Sequence, residues 1–490
     1  MTDQEHHSFL DTPVIKILNP NMKDKVRFKL PSVPDSLNNF FVVGCFFQAV
    51  ILIMFGCYTT YPKTAEDANG IGTAKDFEGY DVTQYAVLMD VMVMIFVGFS
   101  ILFCLLPRYG WAGISCAMLV GAMTFEWSIV CKGLITSAEN GWREEDDTSI
   151  GAIEVNIDLF AEAIFAAASV LIASAGVLGR TSLEQLIVMM FFMVPSYAFN
   201  HWVVIEKIGA SDTGGTIFIH AFGAFFGFAC SWVLGHDESH KMKRRFDEAG
   251  NYNTNVFALI GTIFLWVYYP SFNAYGMTGI QKFRATFNTQ LALIAAAVTS
   301  IIMSDMTKDS KKNMMIHMQT GILAGGVTTG CLADHPIEPY GALLLGTMGA
   351  ITCVLGIKYI TPFMDEKLNI HDTCDCMALH GIPAFVSVFA SCISYGIRKN
   401  YSSKSCFVTV EQSDGNGGTF TVANPDYNLD ICDNYYRPAK DDNQIGKQIG
   451  AIFACAGMAL GFGLPTGAIM GMWTRDDHWY DVDASLMKED

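Results

Sequence analysis

Charged residues are scarce in this 490-residue chain: only 16% are Asp, Glu, Lys or Arg, whereas 51% are hydrophobic. Soluble domains usually carry about 25% charged residues, so the chain has too little polar surface for a set of water-exposed domains. Basic residues are the scarcer kind, with 31 Lys and Arg against 48 Asp and Glu and a formal net charge of −17. Because nucleic-acid binding requires clustered Lys and Arg, we expect no nucleic-acid partner.

Motifs of the common enzyme classes are also missing. The sequence contains no HExxH zinc motif, no phosphate-binding loop and no recognisable nucleophile motif, so we expect neither enzymatic activity nor a cofactor. Its 14 cysteines lie mostly in apolar runs, where cysteine is usually a small buried hydrophobe, so no disulfide scaffold is predicted. Residues 1–39 lack an apolar segment near the N-terminus, so we expect no cleaved signal peptide.

Long apolar runs, in contrast, are abundant. Runs of about 18–25 residues, the length that crosses a hydrocarbon core of ~30 Å, recur along the chain between polar loops. They predict an all-α polytopic membrane protein with about twelve transmembrane helices, at approximately residues 40–58, 85–106, 110–130, 153–178, 183–205, 214–234, 255–275, 287–305, 314–333, 341–363, 379–397 and 447–472.

The orientation of these spans follows from their basic flanks. Clusters of Lys and Arg at 241–245 and 308–312 fall on one side of the membrane when the twelve spans are counted. Basic residues favour the cytoplasmic side, so both termini are expected to be cytoplasmic. The chain then divides into a cytoplasmic N-terminal segment at 1–39, a transmembrane domain at 40–472 that includes a long extracellular loop at 398–446, and a short acidic cytoplasmic tail at 473–490.

The predicted extracellular loop carries two candidate modification sites. Asn400 begins an Asn-Tyr-Ser sequence, which is an acceptor pattern for N-glycosylation. Cys406 and Cys432 are well separated in the same loop. They could form an extracellular disulfide or remain free thiols.

Ionisable side chains within predicted spans are costly in a bilayer and therefore indicate candidate functional sites. Each of them could also serve only as a cap or as a hydrogen bond between helices. The candidates are Asp90, Glu126, Asp158, Glu162, Asp212, Asp334, His201, His220, His317 and His380.

Two of these positions combine several features. Asp212 precedes an apolar run as a helix N-cap would, and His220 follows about two turns deeper, in a span with Gly223 and Gly227 at GxxxG spacing. His380 begins the eleventh span. Imidazoles in an apolar lumen can donate or accept a proton while neutral, so two facing histidines would form a track compatible with proton transfer.

A zinc site is the alternative interpretation of the second position. His371, Cys374, Cys376 and His380 are ligand types that suit zinc. Their spacing, H-x2-C-x-C-x3-H, is not that of a standard zinc finger, and a span would have to begin inside it. The predicted site therefore contains no metal.

Co-linear segments from about residue 80 to residue 475 carry a specific family resemblance. They include Asp90-Val91 with the VMIFVGF run, Arg108-Tyr109-Gly110, Asp212 to Gly227, GTIFLWVYYPSFNA at 261–274, LAGGV at 323–327, PYGALLLG at 339–346, YITPFM at 359–364, and HDTC with LHGIP within 371–383. In these segments the chain resembles the Rh (Rhesus) glycoprotein branch of the ammonium transporter family.

The resemblance implies a homotrimer in which each protomer is an eleven-helix bundle with an extra N-terminal span and its own narrow hydrophobic pore. His220 and His380 match the family's twin pore histidines, and Asp212 matches the buried acid upstream of the first. Phe272 matches one of two stacked phenylalanines at the outer mouth, with Trp266 and Asn273 in the same stretch.

The resemblance leaves two positions open. The second phenylalanine falls near Trp127, where this chain offers Phe125 or Met123 depending on the alignment. The family commonly has Asn-Glu-Phe where this chain has a histidine, His201, in place of the glutamate. Recruitment of a cation by that acid is therefore not carried over.

The implied function is an ammonia or ammonium channel of the plasma membrane, with methylammonium as a substrate analogue. It would deprotonate ammonium at a phenylalanine-gated outer mouth and pass ammonia through a hydrophobic pore lined by the twin histidines. Two alternatives remain open, a channel for CO2 or another gas, and an ammonium sensor or membrane scaffold with little flux.

Overall fold

The computed structural model describes residues 40–60, 82–106, 110–143, 153–235, 252–307, 313–399, 409–413, 419–423 and 443–473. The predictions for residues 1–39, Asn400, Cys406, Cys432 and residues 474–490 lie outside these ranges. Within them the chain forms twelve long helices, which we number α1 to α12: Phe40–Tyr58, Gln84–Leu105, Gly110–Arg143, Ile157–Val177, Leu183–Lys207, Thr216–Leu234, Tyr252–Asn273, Gly279–Met306, Asn313–Thr329, Pro339–Leu368, Met377–Ile397 and Gln444–Met470.

The predicted fold class is confirmed. Eleven helices in the described ranges are long and apolar enough to cross a membrane, and the remaining one, α9, has 17 residues followed by a tight turn at Gly330–Leu332. Every predicted span coincides with one of the twelve helices, so the chain is a multi-pass membrane protein. The largest boundary difference is in α3, which continues to Arg143 instead of ending near residue 130. Hydropathy marks only the segment inside the hydrocarbon, whereas a helix continues into water where its sequence allows.

The few strands lie outside the helix bundle. Strand β1, Thr59–Thr60, pairs in parallel with β2, Ile153–Glu154, and so connects the end of α1 to the segment before α4. Strands β3, Thr409–Ser413, and β4, Thr419–Ala423, form an antiparallel hairpin between α11 and α12.

Helix α4 is at the centre of the bundle. It is rich in alanine, and nearly all of its side chains from Ala161 to Val177 are buried. Small residues let α6 approach closely, because a Cβ at Gly223 would lie 2.6 Å from the carbonyl oxygen of Ser169 and one at Gly227 would lie 2.7 Å from that of Ala173. The GxxxG spacing in α6 therefore has the packing role that is typical of membrane helices.

Helix α1 is peripheral. Only Phe47 and Ile51 of its side chains are buried. Gln48 donates a hydrogen bond of 3.3 Å to Glu126 of α3. α1 is thus the extra N-terminal helix that the resemblance implies, attached to the outside of the bundle.

Candidate functional site

Helices α6 and α11 begin with the same local structure. Oδ2 of Asp212 accepts hydrogen bonds from the backbone N–H groups of Ile217 (2.6 Å) and Phe218 (3.1 Å) at the start of α6. Oδ2 of Asp372 accepts one from Met377 (2.7 Å) at the start of α11. Each aspartate satisfies donors that a helix start leaves unpaired.

The two helix starts also share a turn and a spacing. The third residue after each aspartate, Gly215 (φ 66°) and Asp375 (φ 55°), adopts the left-handed backbone conformation. A histidine follows each aspartate after eight residues, His220 in α6 and His380 in α11. The shared Asp-Thr-x6-His pattern is the sequence signal of this likeness.

The two histidines stack against each other in the interior. Their Nδ1 atoms are 3.1 Å apart, their ring centroids are 5.1 Å apart, and their planes differ by 6°. His220 is 1% exposed and His380 4%. One Nδ1 must carry the shared proton and the other must accept it, so the pair is one hydrogen-bonded unit. The structure therefore brings together the two predicted pore histidines.

Tyr269 of α7 extends this unit to three groups. Its hydroxyl lies 3.2 Å from Nε2 of His220, and both side chains are buried. When Tyr269 donates this bond, Nδ1 of His220 carries the proton and His380 accepts it, which fixes both tautomers. Sequence analysis missed Tyr269, because one tyrosine in an aromatic stretch gives no sign of its direction.

Phenylalanines cover one side of the histidine pair. The ring of Phe272 lies 5.9 Å from that of His220, and Phe165 of α4 packs edge-on against Phe272 at 5.1 Å. Phe125, a predicted candidate for the second phenylalanine, instead packs edge-on against Phe160 at 5.1 Å. Phe165, which sequence analysis missed, therefore occupies the place beside Phe272. Its only sequence signal was an aromatic residue in an alanine-rich helix.

The other two predicted residues of this stretch have different surroundings. The side-chain amide of Asn273 donates to the hydroxyl of Thr289 (3.0 Å) and to the carbonyl of Gly326 (3.2 Å), so it braces α7 against α8 and α9. Trp266 is half-buried and packs against the hydrophobic core.

A cavity of ≈ 260 Å³ approaches the pair from the opposite side. Its lining is mostly apolar and includes His380 itself, together with Phe99, Leu323, Leu379, Asn255 and Gln319. The two phenylalanines, the histidine pair and this cavity therefore lie one after another through the bundle. We call the side where α4 begins the Ile157 face and the side where it ends the Val177 face; the cavity belongs to the latter.

Three of the four residues of the zinc interpretation have partners of their own. The ring of His371 lies 3.3 Å from Asp365, His380 pairs with His220, and the Cys376 thiol contacts the carbonyl of Ile172 at 3.2 Å. Among the described residues, no group of three or more His, Cys, Asp or Glu side chains could hold a metal ion.

Burial raises the pKa of both aspartates that cap the two helices. Burial raises the pKa of Asp212 to about 6, while the backbone N–H groups of Ile217 and Phe218 act in the opposite direction by stabilising the carboxylate. The pKa of Asp372 is also raised by burial, against a similar donor at Met377. Hydrogen bonds to the charged form thus offset part of the desolvation cost.

Several predicted ionisable candidates make structural contacts. Asp90 accepts from Ser271 (2.7 Å), Asp334 accepts from Thr213 (2.7 Å), and the ring of His317 lies 2.9 Å from Ser304. Asp158 lies in the first turn of α4, where the helix dipole stabilises a negative charge. These contacts hold helices and loops together.

Glu162 and His201 are different, because a buried lysine joins them. Nζ of Lys132 lies 2.8 Å from Oε2 of Glu162 and 2.7 Å from Nδ1 of His201. Nε2 of His201 is 3.5 Å from Oε1 of Glu162. We call these three residues the Lys132 cluster.

Comparison with known proteins gives consistent matches. Residues 69–475 match the family described as "Ammonium Transporter Family". The chain is 34% identical over 364 residues to "Ammonium transporter Rh type C" of Canis lupus familiaris, covering 71% of this chain and 76% of that protein. It is 34% identical over 376 residues to the protein of the same name from Xenopus laevis, covering 74% and 77%.

Among solved structures, one described as "Nitrosomonas europaea Rh50 and mechanism of conduction by Rhesus protein family of channels" aligns with a TM-score of 0.61 and 24% identity. The alignment covers 82% of this chain and 91% of that one. At this identity the match supports the fold.

Proposed function

Because this chain belongs to the ammonium transporter family, we propose that it conducts ammonia across the plasma membrane. The proposed route passes Phe165 and Phe272, crosses the stacked pair of His220 and His380, and enters the cavity on the Val177 face. The observation that carries the proposal is the histidine pair itself, buried in apolar surroundings and joined Nδ1 to Nδ1.

Electrostatics favours the neutral species in the narrow part of this route. Moving a cation from water into an apolar passage costs several kcal/mol or more unless charged groups replace its hydration. The rings that meet at the constriction supply no anion, and the neutral histidines can hydrogen-bond ammonia as donor or acceptor. Ammonium would therefore give its proton to water on the outer side of Phe272 before ammonia passes.

The orientation and assembly belong to the same proposal. The basic clusters of the sequence favour a cytoplasmic Val177 face, so the phenylalanines would close the outer mouth. Apolar side chains such as Val267 of α7 and Phe287 of α8 are more than half exposed, which suits contact with lipid or with other protomers. We propose the homotrimer that the resemblance implies.

Reconstitution tests the function directly. Purified protein is placed in liposomes that contain a pH-sensitive dye and is mixed with ammonium chloride in a stopped-flow instrument. Entry of ammonia takes up protons inside and raises the internal pH, and we expect a faster rise than in protein-free liposomes. The same liposomes mixed with dissolved CO2 give the opposite pH change.

Each outcome decides between the candidate functions. Faster alkalinisation with ammonium supports the ammonia channel. Faster acidification with CO2 alone would replace ammonia by CO2 as the conducted gas. Rates equal to those of protein-free liposomes with both substrates would overturn the channel and favour a sensor or scaffold.

Replacing Tyr269 by phenylalanine isolates the role of its hydroxyl. The Tyr269→Phe variant keeps the ring and loses one buried hydrogen bond to His220, worth about 0.5–1.5 kcal/mol, so we expect ammonia flux to fall about two- to tenfold. Tyr275→Phe is the matched control, because its hydroxyl contacts the carbonyl of Ile157 at 3.4 Å. Equal flux in wild type and Tyr269→Phe would leave Tyr269 with a packing role only.

A further inference from the structure

The Lys132 cluster lies beside the proposed entrance of the path. Three helices meet there, with Lys132 on α3, Glu162 on α4 and His201 on α5. Glu162 precedes Phe165 by three residues on α4. It therefore lies on about the same side of the helix as Phe165 and ~4.5 Å closer to the Ile157 face. The ring of His201 packs edge-on against Phe218 at 4.6 Å, two residues before the pore histidine of α6.

With Lys132 as an ammonium ion, the contacts assign the protons of the other members. An ammonium nitrogen only donates, so Nδ1 of His201 accepts from Lys132 and carries no proton. The imidazole is then neutral and its Nε2–H points toward Glu162. The cluster contains one cation, one anion and one neutral ring, and Tyr197 of α5 is a further titratable group within electrostatic range of Glu162.

Stability alone does not account for this cluster. The side chains of Lys132 and His201 are 11% and 12% exposed, whereas that of Glu162 is 30% exposed. A buried ion pair often stabilises no more than apolar residues of the same size would. Ionisable groups inside a membrane domain are therefore candidates for a functional role, and Glu162 is the member of the cluster whose side chain stays partly exposed.

We propose that Glu162 and His201 form a binding site for a primary ammonium group and that Lys132 fills this site with its own Nζ. The side-chain end of lysine has the charge and the three N–H donors of methylammonium, so the occupant is a tethered analogue of the substrate. This inference rests on the proposed function. Free ammonium is then not concentrated at the outer mouth, so little of it is deprotonated there and wild-type flux follows mainly the ammonia already present in solution.

The experiment removes the Lys132 side chain and measures whether free ammonium ions bind in its place. Lys132→Ala opens the site and leaves Glu162 and His201 in place. Below pH 7, each increase of one pH unit should raise the initial flux into wild-type liposomes about tenfold at fixed total ammonium, because the free-base fraction rises by that factor. In Lys132→Ala, ammonium bound at Glu162 should flatten this dependence, with flux about tenfold above the free-base expectation at pH 6.

Methylammonium chloride is the competing probe. It should reduce the extra flux of Lys132→Ala at pH 6 and leave wild-type flux at that pH much less affected. The double variant Lys132→Ala/Glu162→Gln lacks the carboxylate and should lose both the extra flux and the competition. Lys132→Ser, which also removes the ammonium group and most of the side chain, supplies a second opened site if the alanine variant does not elute as folded protein.

The outcomes separate this inference from the proposed function. If wild-type liposomes show no ammonia flux, the proposed function fails. If wild type conducts and the opened variants keep the wild-type pH dependence without competition by methylammonium, the tethered-cation site is wrong while the channel stands. A flatter pH dependence that disappears in the double variant supports the inference.

Discussion

Replacing both pore histidines by alanine is expected to reduce ammonia flux about 30-fold, toward the rate of protein-free liposomes. Each imidazole offers one hydrogen bond to the passing molecule, and two such bonds at about 1 kcal/mol each correspond to that factor. His220→Ala/His380→Ala should also abolish selective methylammonium uptake in cells that lack their own ammonium transporters. The measurement is the stopped-flow rate, together with radiolabelled methylammonium uptake.

The control is a histidine of similar burial outside the path. His317 of α9 is 1% exposed and its ring bonds to Ser304 of α8. His317→Ala should retain flux, whereas a general packing defect would lower flux in both variants. Unchanged uptake in the double variant, with the protein folded by size-exclusion chromatography, would contradict the assignment of the pair.

Asp212→Ala is expected to cause the largest loss of stability. The carboxylate accepts hydrogen bonds from two backbone N–H groups at the buried start of α6. Hydrogen bonds to charged groups contribute about 1.5–3 kcal/mol each to the free energy of unfolding. Their removal leaves both donors unsatisfied, so we expect the free energy of unfolding to fall by about 3–6 kcal/mol. Thermal unfolding in detergent, followed by the fraction that stays monodisperse, measures the change.

Two variants locate the cause of that loss. Asp212→Asn keeps the size of the side chain and one acceptor oxygen, so it should lose about half as much stability. Asp372→Ala removes the corresponding contact to Met377 at the start of α11 and should also be destabilising, by a smaller amount. Wild-type stability in Asp212→Ala would show that solvent or another group satisfies the α6 donors.

The spans and the residues with strong local signals were predictable from the sequence. Hydropathy runs located all twelve helices, because a helix that crosses the bilayer needs an apolar stretch as long as the hydrocarbon core is thick. Asp212 had the pattern of a helix cap, and His220 and His380 stood out as ionisable groups in apolar runs. Their pairing came only from the resemblance, since nothing local in the sequence places residues 160 positions apart in contact.

The remaining site residues were unpredictable because their roles are tertiary. Phe165 and Tyr269 are ordinary aromatic residues along their own helices, and only the crossing of α4, α6 and α7 turns them toward Phe272 and His220. The Lys132 cluster was hidden for the same reason. Glu162 and His201 were singled out separately, whereas Lys132 lay beyond the predicted end of its span and was not considered.

The matched starts of α6 and α11 have a consequence for the direction of flow. Asp212 and Asp372 cap helices that enter the bundle from opposite faces, and each places its histidine at the same depth from its own side. A molecule arriving from either side would meet a helix start capped by aspartate and then an imidazole, while the phenylalanines lie on the Ile157 face only. If the passage conducts ammonia as proposed, these matched helix starts add no preference for import or export, and the ammonia gradient would set the direction of net flow.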